Sequence, residues 1–218
     1  MDFAEARRRM VDSQLRPNRV TDPGVLAAMR DLPRESFLPA ALRARAYADD
    51  DVPLPGGRAM LAPMAIARLA QLAAIRPGDR ALVVAAGTGF GAALLARCGA
   101  RVIALEEDAA LAALGRAACA AAVPAGALRF EAGRVVDGYP AGAPYDVILI
   151  EGEVPEIPAG IEAQLIEGGR LVTVLGDGRR QGRAVLARRL GGSLGATPAF
   201  DCATAALPGF ARAPGFVF

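Results

Sequence analysis

Residues 81–91, Ala81-Leu82-Val83-Val84-Ala85-Ala86-Gly87-Thr88-Gly89-Phe90-Gly91, read as strand, turn and helix. The first five are a short continuous apolar run, the mark of a strand covered on both faces. The glycines that follow permit a tight turn, let a ligand approach the backbone and expose helix N–H groups. A second apolar run, Arg101-Val-Ile-Ala-Leu-Glu106, closes on an acid near the spacing at which a carboxylate meets ribose hydroxyls. Together residues 81–107 predict a nucleotide-type cofactor pocket. That reading needs an open hollow beside the turn with Glu106 facing it. The alternative for Glu106 is a solvated charge at a strand end.

Outward from this stretch the same rhythm continues. Asp108 predicts a cap for an alanine-rich helix to Ala122, and 128–132, 145–151 and 170–175 predict further strands. Pro158 predicts a helix between the last two. Strand and helix alternate at βαβ spacing, so the fold class is α/β: a Rossmann-like, mostly parallel sheet with helices on both faces. Residues 183–190, 195–200 and the terminal APGFVF predict late strands with an antiparallel pair. Toward the N-terminus, residues 3–15 show helical spacing, Asp22-Pro23 opens a helix to Met29, and Leu38-Pro39 opens another ending near Tyr47. Residues 48–62 read as a Pro/Gly/Asp-rich loop, and Pro63 starts a helix to Ala74. The expected organisation is a helical cap and loop over 1–62 on a Rossmann-like domain over 63–218, forming one unit.

Composition narrows the chemistry. Of 218 residues, 53% are hydrophobic and 22% charged, enough apolar residues for a packed core. The net charge of +2 gives no nucleic-acid or anionic-membrane field, and no run has the apolar length of a membrane span. A soluble cytoplasmic protein is the expectation. There is no His, and all 25 basic residues are Arg. Ser-His-Asp and Cys-His sites, Lys Schiff bases, P-loop lysines and histidine zinc ligation are excluded. Cys98, Cys119 and Cys202 are widely spaced, form no CxxC pattern and read as small buried hydrophobes; no metal site is expected.

Six segments carry a family resemblance: MVDSQLRP (10–17), DLPRESFLP (31–39), AYADDDVPLP (46–55), RPGDRALVVAAGTGFGAALLA (76–96), GAPYDVILI (142–150) and EIPAGIEAQLIEGGRLVTVLG (156–176). In this order they resemble protein-L-isoaspartate O-methyltransferase. The resemblance implies a class I methyltransferase fold, S-adenosylmethionine as cofactor and a protein or peptide substrate. The family methylates the isoaspartyl carboxylate of damaged proteins, which starts their repair. Carried over position by position, it implies cofactor binding at Ala85, Ala86, Gly87, Thr88, Gly89, Glu106, Glu107 and Arg134. It also implies an acceptor loop at Arg58, Ala59 and Met60, with Leu61 at the position of the family's serine.

Several of these positions depart from the family's pattern. Val83 stands where the family has an acid, Ala85 at its first glycine and Arg134 at the Asp beside adenine, with Asp137 nearby. Ala59 and Leu61 replace both acceptor-loop hydroxyls, and lost hydrogen bonds there are worth about 1 kcal/mol each. Methyl transfer to an ionised carboxylate is an in-line displacement that needs positioning and no general base, so the lack of His and Lys is no obstacle.

Glu151 and Glu153 follow a central strand at the carboxyl end of the sheet, where such folds bind ligands. Either they face water or they line the transfer point, where Glu151 is a candidate catalytic group that favours a neutral or cationic acceptor. Arg7-Arg8-Arg9 and Arg179-Arg180 read as solvated faces, and Phe210, Phe216 and Phe218 as a core-packing strand. Two functions stay open: a methyltransferase of the isoaspartyl type or with an altered acceptor, and a catalytically inactive descendant kept for binding or assembly. A nicotinamide oxidoreductase built on a Tyr-x-x-x-Lys pair is excluded for want of Lys. Oligomeric state is not readable.

Overall fold

The computed structural model describes residues 2–177 and 181–210. Helix α1 (Phe3–Met10) starts at Asp2, whose carboxylate accepts the Glu5 N–H, and widens into a π-helical turn over Val11–Leu15. Helix α2 (Pro23–Asp31) has the expected cap, Asp22 accepting from the Val25 N–H. The helix expected from Leu38 to Tyr47 is instead a 3-10 segment, Ala40–Arg45, after another at Arg34–Phe37. Pro39 has no N–H to give, and pieces this short take the tighter i→i+3 form.

The stretch expected to be a loop contains a hairpin, β1 (Val52–Leu54) and β2 (Arg58–Met60), antiparallel about Pro55–Gly57. The turn residues were legible, but their flanks pair because Val52, Leu54 and Met60 have a core to enter.

Helix α3 (Pro63–Ala73) then leads into β3 (Arg80–Val84), α4 (Phe90–Arg97), β4 (Arg101–Glu106), α5 (Ala109–Ala122) and β5 (Leu128–Ala132). After these come β6 (Tyr145–Val154), α6 (Ala159–Glu162), β7 (Leu165–Leu175), β8 (Gly182–Leu190) and β9 (Ser193–Cys202). The seven long strands form one sheet in the order β5-β4-β3-β6-β7-β8-β9. Strands β3 to β7 run parallel to one another, and β8 runs antiparallel to both β7 and β9. The chain grows outward from β3 to β5, then returns to the other side of β3 with β6. In open α/β sheets such a reversal is where ligands bind, here at the carboxyl ends of β3 and β6.

The two-residue period of the strands divides the core. Val83, Ala104, Leu149 and Val172 face the side packed by α2 to α5, together with Met10, Leu15, Val25 and Met29 from the N-terminal helices. Leu82, Leu105, Ile148 and Leu171 face the other side, where Val135, Ile161, Leu207 and Phe210 cover them. Helical cover is deep on the first side and thin on the second, where α6 is a single turn. Phe210 is buried as expected, whereas Phe216, Phe218, Arg179, Arg180 and the expected terminal strand lie outside the described residues.

Arg7 departs from the solvated reading. It donates to Tyr47 Oη, the Asp31 carbonyl and Glu35, tying α1 to the 3-10 segments, while Arg8 and Arg9 pair with Glu5 at the surface. Cys119 and Cys202 are buried and Cys98 half-buried, all as free thiols, and burial pushes each thiol up, to about 12 for Cys119. No helix among the described residues is long and apolar enough to cross a membrane.

Candidate cofactor site

The turn leaving β3 lies at this reversal. Gly87 (φ 56°) and Gly89 (φ 84°) sit in the left-handed region that glycine tolerates without a Cβ penalty. Ala85 sits there too, at φ 59°, so this side chain holds a strained backbone where a glycine would not. The Ala86 N–H bonds to the Leu105 carbonyl and the Gly89 N–H to the Ala86 carbonyl, fixing the loop against β4. Thr88 is buried, and the Phe130 ring packs directly behind Gly89 and Gly115, so a methyl group on either would collide with it.

Glu106 is 1% exposed at the end of β4, which overturns the solvated-charge alternative. It faces the glycine turn as expected. The hollow beside it is not open, and the occupant is Arg58. Its Nη1 donates to Glu106 Oε1 at 3.0 Å, its Nη2 to Oε2 at 2.9 Å, and Nη2 also to the Ala85 carbonyl at 2.5 Å. Oε2 further accepts the Gly87 N–H at 2.6 Å, and Oε1 accepts the N–H groups of Glu107 and Asp108, each at 3.0 Å.

The donor set decides whether a nucleoside ribose fits. A carboxylate offers about four lone-pair positions. Glu106 already takes five N–H donors, counting three on Oε1 and two on Oε2. A ribose diol therefore finds the acid in the right place and no acceptor left on it. In this arrangement the site does not fit a bound adenosine while Arg58 is in it. The expectation of open space is corrected for a physical reason: a chain without Lys places a bidentate guanidinium there, and its fork matches a carboxylate.

The hairpin that carries Arg58 is anchored at its base. Asp51 accepts the Ala62 N–H at 2.7 Å and the Thr204 hydroxyl at 2.6 Å. Downstream, Met60 and Leu61 are core residues, and Ala59 is half-buried. The Leu61 carbonyl accepts from Arg34 Nη2 at 2.8 Å. Arg34 is wholly buried, donates to the Ala46 carbonyl at 2.8 Å and lies 4.4 Å from the Phe90 ring centroid. Burial lowers its pKa to about 10, opposed by the fields of Tyr47, Glu151 and Asp51. Its Nη1 has no hydrogen-bond partner among the described residues.

Glu151 and Glu153 are both buried, so the water-facing reading is overturned. Glu153 packs against Gly176 and Gly182. The Glu151 carboxyl lies against the α-carbon of Gly91 in the first turn of α4, filling the space a side chain there would need. Burial pushes its pKa up to about 8, offset by Arg58 and Arg34, reinforced by Glu106 and lowered by the Gly91 amide. Its Oε2 has no hydrogen-bond partner among the described residues.

The remaining predicted positions lie at the edge. Glu107 is exposed and accepts weakly from the Val135 N–H at 3.4 Å. Arg134 is exposed and pairs with the nearby Asp137, also exposed, at 3.4 Å. Among the described residues no cluster of three or more His, Cys, Asp or Glu side chains could hold a metal.

Three features escaped the sequence reading: Arg58 as the partner of Glu106, Arg34 as a buried cation, and Gly91 as the space for Glu151. The available signals were weak. Gly91 is one glycine more than the turn requires, and an Arg directly after Gly56-Gly57 sits at the mouth of a tight turn.

A parallel sheet with this reversal, a glycine turn leaving its first central strand and an acid ending the next define a class I methyltransferase fold. The model of the protein-L-isoaspartate(D-aspartate) O-methyltransferase family matches residues 6–203. A protein-L-isoaspartate O-methyltransferase of Methylorubrum extorquens is 43% identical over 188 residues, covering 86% of this chain and 82% of its own. One from Methanoregula boonei is 40% identical over 185 residues, with 85% of each chain covered. Among solved structures, a protein-L-isoaspartate O-methyltransferase superposes with a TM-score of 0.79 at 23% identity, over 94% of this chain and 67% of that one. A Plasmodium falciparum protein of the same assignment, solved with S-adenosyl-L-homocysteine, gives 0.77 at 18% identity, over 92% and 97%. The chain belongs to the protein-L-isoaspartate(D-aspartate) O-methyltransferase family.

Proposed function

We propose that this chain is an S-adenosylmethionine-dependent methyltransferase acting on protein or peptide carboxylates of the isoaspartyl type. One observation carries the reading: Glu106 ends β4 facing the glycine turn at the strand-order reversal, the place where an acid meets a ribose. The cofactor, when bound, supplies a methyl group on a sulfonium. The chain's own contribution is positioning. An acceptor carboxylate is already ionised at neutral pH, so no residue has to remove a proton. Gly87 and Gly89 let the backbone come close, and Met60 and Leu61 are held in the core behind the hairpin. The acceptor side offers no hydroxyl at Ala59 or Leu61, so acceptor binding rests on fewer hydrogen bonds, each worth about 1 kcal/mol. The expected signature is a raised KM for the acceptor.

The test is methyl transfer from labelled S-adenosylmethionine to an isoaspartyl peptide, beside its aspartyl isomer and a panel of amine and hydroxyl acceptors. Label on the isoaspartyl peptide alone supports the reading. Label on an amine or hydroxyl instead points to an altered acceptor, with Glu151 as the candidate group that selects it.

A second reading has its own observation. Because the Glu106 acceptor positions are taken, a catalytically inactive descendant kept for binding or assembly accounts for the same geometry. The absence of calorimetric heat with S-adenosylhomocysteine at millimolar concentration, for the native chain and for variants at Arg58, favours it.

A further inference from the structure

We infer that Arg58 is an internal competitor for the cofactor's ribose, so that the cofactor gains Glu106 only by displacing it. This rests on the methyltransferase reading and adds to it a mode of regulation. The pair is a formed interaction: bidentate, with side chains 6% and 0% exposed, and reinforced by the Ala85 carbonyl. Its withdrawal removes two of the five donors on Glu106, leaving the three backbone N–H groups and one acceptor position for a ribose hydroxyl.

The placement of Arg58 in the chain gives the competition a consequence. It is the first residue of β2, and the next residues, Ala59 to Leu61, run on as the family's acceptor loop. Strand β2 pairs with β1 over only three residues, and a side chain added at Gly57 in the turn between them would meet Pro208. Releasing Arg58 therefore frees the stem that sets the acceptor loop. By linkage, an acceptor that draws the hairpin away from Glu106 strengthens cofactor binding by the factor with which the cofactor strengthens acceptor binding. The site binds cofactor weakly alone and better with acceptor present.

The experiment is calorimetric titration of S-adenosylhomocysteine into the 218-residue chain and its Arg58→Ala and Arg58→Gln variants, each checked for a cooperative melt. The expected result is binding to the variants at least tenfold tighter than to the native chain. Because removing Arg58 leaves a buried carboxylate, hydrogen exchange on the native protein gives an independent reading. Saturating S-adenosylhomocysteine should raise exchange across residues 52–60. Binding by the native chain as tight as by the variants, or protection of 52–60 by ligand, overturns the competition and leaves the methyltransferase reading intact. No binding by any of the three proteins removes both.

Discussion

Two buried carboxylates end neighbouring regions of the sheet, and they are treated in opposite ways. Glu106, closing β4, meets a guanidinium fork and three backbone N–H groups. Glu151, near the end of β6, is also buried, yet its Oε2 has no partner among the described residues and its pKa is pushed up to about 8. Burial alone penalises a charge by several kcal/mol, so a carboxylate in a core either finds donors or keeps its proton. The β4 end takes the first course and the β6 end the second. The acid at the end of β4 is therefore saturated with donors, while burial holds Glu151 toward its neutral form.

The comparison can be broken by substitution, starting with the strongest case. Glu106→Ala strands Arg58 in the core, and loss of one partner of a buried pair costs about 3–5 kcal/mol. At about 2–4 °C per kcal/mol for a chain of this size, the melting temperature should fall by roughly 10 °C. A fall of only a degree or two would mean the pair is solvated.

For Glu151 the expected effect depends on pH. Its pKa rises from 4.5 to about 8 on folding, so its contribution to stability is complete below pH 4.5 and is lost as pH rises through about 8. Glu151→Gln should leave the melting temperature nearly unchanged at pH 5 and raise it at pH 9, by on the order of 5 kcal/mol in stability. Equal effects at both pH values would show that the carboxyl is not buried.

A smaller effect tests the space Glu151 occupies. Gly91→Ala puts a methyl group into its carboxyl, and overpacking of this kind costs about 1–3 kcal/mol. In a Glu151→Ala background the same change should become neutral or stabilising, because alanine is about 1 kcal/mol better than glycine in a helix. Denaturant midpoints of the four proteins read this directly. Smallest of all, Ala85→Gly should relieve the left-handed strain at φ 59°, offset in part by the added freedom of the unfolded chain. A gain of up to about 1 kcal/mol, read as a rise of about 2 °C, is expected.

The sheet was legible because continuous apolar runs and helix caps are local signals. Asp22, Asp108, the glycine turn and the strand ending at Glu106 all stand where their residue types require. The hairpin was not legible, since three-residue strands gain their stability from a core that lies elsewhere in sequence. The site was half legible. Glu106 is announced by its position at a strand end, but the saturation of its oxygens depends on an Arg 48 residues away, brought in by a turn that no periodicity encodes. The burial of Glu151 depends likewise on a missing side chain at Gly91, 60 positions earlier, and an absence leaves no pattern.

The central claim, that Arg58 and Glu106 hold each other in the place of a ribose, is tested most directly by a double-mutant cycle on stability. Arg58→Ala, Glu106→Ala and the pair together are unfolded by denaturant. Each single change should cost about 3 kcal/mol or more, and the double change much less than their sum, because it leaves no buried charge behind. Additive losses would contradict the contact and reopen the hollow beside the glycine turn.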